Sequence, residues 1–283
     1  MLFSRLVRLY ERRGFTVRSS VTPYLFEKLI VHPEYDLCQT YLFKEGRHQS
    51  GWGGGIHMSE VYLLECLGQV FRPERVFVIG NSFGWSTLAL ALANPGARVV
   101  AMDACFAPQT AEGMALTNRI AAEEGLNAEA VRGVSPGDVG RVVERHLGGP
   151  IDLALIDGLH SDEQQIADYR AIRAHASARC VVLFHDVVAC KLLGSLHAIF
   201  EAEPDRTGRL LTRTNTGMGV LYPKSLPAEV DELLAGFSDP MVEMITREVD
   251  GQARPALRAR LPRRDMGASE ATGGDGKTGS GAA

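Results

Sequence analysis

What the chain lacks narrows it first. Across 283 residues, no apolar stretch reaches the length of a membrane-spanning helix. Charge of one sign is not in excess. Thirty Lys and Arg stand against 34 Asp and Glu, a net charge of −4, which gives no basis for nucleic-acid binding. Cysteine is sparse and odd in number. The five thiols (Cys38, Cys66, Cys105, Cys180, Cys190) show no CxxC spacing, which argues against a zinc knuckle. Three lie in or beside apolar runs and read as buried free thiols, as a reducing cytoplasm allows. A secretory leader is not visible either: Met1 to Phe15 interleaves apolar residues with Arg5, Arg8, Arg12 and Arg13. That segment reads as a helix packed on the domain, with a basic membrane-surface helix as the alternative. Internal repeats are absent.

What is present suits a globular enzyme-sized chain: 45% hydrophobic and 23% charged residues. Four regions are expected. Residues 1–58 form a partly helical or irregular extension. Residues 59–225 form the main unit, 226–262 a C-terminal helical segment, and 263–283 a Gly- and Ser-rich disordered tail.

Within the main unit, strand and helix alternate. Helical spacing of Val61, Leu64, Leu67 and Phe71 follows Ser59 and stops at Pro73. Strands are expected at Arg75–Ile79, Arg98–Met102, Ala128–Arg132, Ile151–Ile156 and Cys180–Phe184. Helices are expected at Ser86–Ala93, Pro108–Glu124, Pro136–His146, after Ser161, and at Lys191–Ala202. Ser161 and Gln164 have capping-box spacing. Arg209–Thr214 and Gly217–Tyr222 flank a turn and read as a hairpin, and Ala228–Phe237 as a last helix. This order predicts an α/β, Rossmann-like open sheet, mostly parallel, with helices on both faces and an antiparallel hairpin at its C-terminal end.

The most informative stretch is Val76 to Thr87. It reads as a buried strand, a turn at Gly80-Asn81-Ser82-Phe83-Gly84, and a helix start at Ser86. Such a turn arrays backbone N–H groups around a cofactor pocket. Ligands of open α/β sheets bind beyond the carboxyl ends of the strands, and these ends carry Asp103, Asp157 and His185-Asp186. Asp103 lies 23 residues after Gly80, at the place of a ribose-binding carboxylate. Asp157 and Asp186 would converge on one cleft, suiting a hard divalent cation such as Mg²⁺, with His185 or more distantly His160 completing the site. Alternatively His160 acts as a general base without metal.

The same letters also spell Gly80-x-Ser82-x-Gly84, the elbow of serine hydrolases. That reading lacks a late histidine, because none follows His197. A nicotinamide enzyme would want GxGxxG, which the turn lacks. A third alternative is a methyltransferase-like fold that binds partners without catalysis.

The motifs together resemble class I S-adenosylmethionine-dependent methyltransferases, specifically the small-molecule O-methyltransferase branch of methyltransferase domain 24. The resemblance runs from Ser59 to Tyr222. It rests on Val78-Ile79-Gly80-Asn81-Ser82-Phe83-Gly84-Trp85-Ser86-Thr87, on Ile156-Asp157-Gly158-Leu159-His160-Ser161 with Asp168-Tyr169, and on Val181 to Val187. It implies a seven-stranded sheet, and S-adenosylmethionine held by Gly80, Asn81, Ser82, Gly84, Ser86 and Asp103. It implies methyl transfer to an oxygen of a small-molecule acceptor, with Asp157 and His160 catalytic and Asp157, His185 and Asp186 as metal ligands. The sequence departs from the family at Val78, Ser82, Val134 and Val187, where an acid, a glycine, an aspartate and an asparagine are usual. A cytoplasmic protein is expected, and apolar residues of the extension suit a homodimer.

Overall fold

The computed structural model describes residues 1–19, 39–49, 55–242 and 244. The expected tail and most of the glycine run at 51–55 lie outside these residues. The chain opens with α1 (Leu2–Glu11), whose Leu2, Leu6, Leu9 and Tyr10 are buried at helical spacing. Its basic end is taken up by acids on the domain. Arg12 Nη2 lies 2.8 Å from Glu124 Oε1, and Arg13 pairs with Glu123. The amphipathic helix is therefore packed on the protein.

The extension is less irregular than its sequence suggests. β1 (Phe15–Ser19) pairs antiparallel with β2 (Thr40–Lys44), which pairs with β3 (Arg47–His48) in a small three-stranded sheet. Helix α2 (Met58–Val70) follows. Its N-cap is His57 rather than Ser59: His57 Nδ1 accepts from Ser59 N while Glu60 accepts from His57 N.

The main sheet is built by β4 (Arg75–Ile79), β5 (Arg98–Asp103), β6 (Ala128–Arg132), β7 (Ile151–Ile156), β8 (Ala176–Phe184), β9 (Arg206–Leu211) and β10 (Met218–Pro223). Spatial order is β6-β5-β4-β7-β8-β10-β9. The first five are parallel, and β10 runs antiparallel to both β8 and β9. Strand side chains alternate between faces, and both faces here are covered, so the strands read as unbroken apolar runs. Val76, Val78, Leu153, Leu155, Val181 and Leu183 join one core with α1, α2, α3 (Trp85–Ala93), α4 (Pro108–Glu123) and α8 (Ala228–Gly236). Phe77, Ile79, Ala154, Ile156, Val182 and Phe184 join the other, against α5 (Val139–Val142), α6 (Asp162–Ala174) and α7 (Leu193–Glu201). α5 is shorter than expected, a single turn at Val139–Val142 that widens into a π-turn at Val143–Leu147. No described helix is long and apolar enough to cross a membrane.

Candidate active site

The turn after β4 is held in its shape by left-handed backbone at Gly80 (φ 94°), Ser82 (φ 44°) and Gly84 (φ 80°). A β-carbon on Gly80 would stand 2.0 Å from the Asp157 carbonyl oxygen, so the turn and the end of β7 touch backbone to backbone. Asn81 is buried behind the turn. Its amide donates to Thr117 Oγ1 at 3.1 Å and to the Ser82 carbonyl, and it accepts from Thr87 Oγ1 at 2.9 Å. Ser86 is likewise buried in the first turn of α3. These two lie buried behind the turn, while Gly80, Ser82 and Asp103 are partly exposed at the strand ends.

Asp103 also has a structural task. One carboxylate oxygen accepts from Asn81 N at 2.9 Å and Ser82 N at 2.8 Å, and the other from Cys105 N at 2.8 Å. A carboxylate offers about four acceptor positions, so roughly one remains for a ligand hydroxyl.

β7 and β8 are neighbours, and their ends bring together Asp157, His160, His185 and Asp186. One ligand-type atom from each of the four lies within 4.8 Å of the others. His185 Nδ1 is 3.0 Å from Asp157 Oδ1 and 3.3 Å from Asp186 Oδ1. His160 is the outermost, its ring 31% exposed, with Nε2 3.5 Å from Asp157 and Nδ1 3.6 Å from Asp186. Asp186 adopts φ 54°, and its Oδ1 is buried without a hydrogen-bond partner. Two carboxylates and two imidazoles with an unsatisfied buried oxygen fit a divalent cation.

The charges are strongly coupled. Burial alone would push the Asp157 carboxyl up, but His185 and His160 outweigh it and hold it far below the usual carboxylate range. Burial would lower His185, yet Asp157 and Glu60 raise it well above an ordinary histidine. His160 is raised against its own burial by Asp157 and Asp186.

Sequence reasoning missed Glu60 and Thr216. Glu60, on α2, is fully buried and faces His185 Nε2 at 3.1 Å; Thr216, between β9 and β10, donates to it at 2.6 Å. Three large apolar residues, Phe106, Val134 and Leu159, also lie exposed just past the ends of β5, β6 and β7. Tyr10 of the extension reaches the turn, its hydroxyl donating to the Phe83 carbonyl at 2.8 Å. The hydrolase alternative fails on geometry. Among the described residues no histidine hydrogen-bonds Ser82, and the two nearest the strand ends are held by Asp157 and Asp186.

Residues 77–187 match the family model of a methyltransferase domain. No curated protein matches the chain in sequence. Cofactor-bound Rv0187 from MTB is similar in structure at TM-score 0.50 and 20% identity, over 60% of this chain and 82% of its own. So is the O-methyltransferase TomG from Streptomyces achromogenes, involved in tomaymycin synthesis and solved in complex with SAM, at TM-score 0.50 and 18% identity, over 60% and 81%. These two likenesses establish the shared fold, and the family match covers the turn, Asp103 and the Asp157–Asp186 cluster together. Residues 77–187, which carry the turn, Asp103 and the cluster, thus match a methyltransferase domain, and the sheet around them shares the fold of these two solved structures.

Proposed function

We propose that the protein methylates a hydroxyl oxygen of a small molecule, with a divalent cation assisting deprotonation. The observation carrying this reading is the cluster of Asp157, His160, His185 and Asp186 beside the Gly80 turn. Gly80, Ser82 and Gly84 shape the seat for the methyl donor, with Asn81 and Ser86 supporting it from behind. Asp103 accepts one ribose hydroxyl. Phe106, Val134 and Leu159 supply apolar cover. Asp157 and Asp186, with His185, would hold the cation. A cation there supplies Lewis-acid chemistry, lowering the pKa of a hydroxyl. The protein's own task is positioning: it holds the acceptor oxygen in line with the donor methyl and excludes water. His160, at the open edge, takes the acceptor proton, and Asp157 steadies the resulting imidazolium.

The test is S-adenosylhomocysteine titration, followed by methyl transfer to a panel of catechols, phenols and sugar hydroxyls with and without chelator. Asp157→Asn is expected to lower turnover by about 100-fold or more while S-adenosylhomocysteine still binds. Transfer to a hydroxyl that ignores both the chelator and Asp157→Asn would overturn the reading.

A further inference from the structure

A capping-box glutamate normally reaches back to its own helix end in water. Glu60 does more. It is 0% exposed, and both of its oxygens are committed. Oε1 accepts from Thr216 Oγ1 at 2.6 Å and Thr216 N at 3.3 Å; Oε2 accepts from His57 N at 2.7 Å and faces His185 Nε2 at 3.1 Å. Three separate segments of the chain thus meet on one carboxylate, which lies outside the matched methyltransferase segment.

The arrangement fixes the histidine. Ionised Glu60 can only accept, so His185 Nε2 carries a hydrogen. The other ring nitrogen, Nδ1, is then the one turned into the cluster, toward Asp157 and Asp186. A carboxylate behind a histidine in this way sets the ring's orientation and makes it a better metal ligand. A second observation points to the same place: Asp186 Oδ1 is buried, 3.3 Å from that nitrogen, and has no hydrogen-bond partner.

We infer that Glu60 is a positioning residue that presents His185 Nδ1 to a cation, and that the site selects a transition-metal ion over Mg²⁺. This rests on reading the cluster as a cation site. Mg²⁺ favours oxygen ligands and retained water. Imidazole nitrogen favours the borderline metals, from Co²⁺ to Zn²⁺. The His185 imidazole beside the two carboxylates therefore tilts the site toward those metals.

The experiment titrates the full-length protein with Co²⁺ alone and with Mg²⁺ alone by calorimetry, and follows the visible absorption of bound Co²⁺. Wild type is expected to bind Co²⁺ at least about 100-fold more tightly than Mg²⁺. Glu60→Gln, which keeps the cap, is expected to weaken Co²⁺ by roughly 10–100-fold and to change the Co²⁺ spectrum. S-adenosylhomocysteine affinity, measured in chelator, should stay at the wild-type value. Thr216→Val, which removes the hydroxyl donor to Glu60 Oε1, should move Co²⁺ affinity in the same direction and serves if Glu60→Gln does not fold. Wild-type Co²⁺ affinity and spectrum in either folded variant would overturn the role of Glu60. Equal affinity for Co²⁺ and Mg²⁺, or binding of neither, would overturn the selectivity. Failure of the methyltransferase reading would show separately, as loss of S-adenosylhomocysteine binding in chelator.

Discussion

Replacing Asp103 by Asn separates the two tasks of that carboxylate. The side chain keeps its size, but an amide has one acceptor oxygen where the carboxylate has two. Turned toward Asn81 N and Ser82 N, that oxygen leaves the NH₂ group facing Cys105 N, donor against donor. One charge-assisted hydrogen bond, worth about 1.5–3 kcal/mol, is lost and two more become neutral. Asp103 is part-exposed, so water recovers some of this, and a net loss of roughly 2 kcal/mol follows. For a domain of this size that is a fall of about 4–8 °C in melting temperature. The assay pairs calorimetric melting with S-adenosylhomocysteine titration. Melting should drop, and affinity should fall roughly tenfold through the lost hydroxyl contact. An unchanged melting temperature refutes the turn-clamping account. Lower melting with full affinity removes Asp103 from the ribose role and leaves it as a clamp only.

Two further outcomes test the surroundings. Tyr10→Phe strips the Phe83 carbonyl of its buried donor and should cost about 1–3 kcal/mol, read as a lower urea midpoint; an unmoved midpoint would show that the carbonyl finds another partner. Asp168 is buried and accepts from Ser135 and Gln164 with one oxygen while the other has no partner, and burial raises its carboxyl above the ordinary 3.8. A carboxyl raised in the folded state favours folding most in acid and loses that contribution as pH rises through its folded value. Asp168→Asn should therefore be more stable than wild type at neutral pH, on the order of 1 kcal/mol, with the advantage shrinking as pH falls toward 3.8. A variant that melts lower than wild type at neutral pH would contradict this account.

The strands were legible because burial on both faces makes them continuous apolar runs, and a strand-end acid stands out against such a run. Asp157 and Asp186 were found that way. β1 and β2 were not, since their pairing spans 21 positions from Ser19 to Thr40. His57 was passed over as a cap in favour of Ser59 because histidine is not among the preferred cap residues. The same habit hid Glu60: at the third position of a helix it reads as a local cap, and only tertiary structure shows that it is buried against His185. The Ser161 hydroxyl caps α6 as expected, but Gln164 does not return the bond; its amide goes to the Ser135 carbonyl and Asp168 instead. Asn81 and Ser86 were expected to hold the cofactor, and both are buried; spacing carries no sign of which side a side chain faces.

The place of β10 bears on how the protein is made. It is synthesised after β9 yet inserts between β9 and β8. While a ribosome is still short of Pro223, the β8 edge stays open and β9 has nothing to join. Thr216 arrives on that same late segment, so the Glu60 carboxylate, made long before, waits for its donor until the sheet closes. The Glu60–Thr216 contact thereby depends on β10 being made, and a chain ending before Thr216 would lack that donor beside His185.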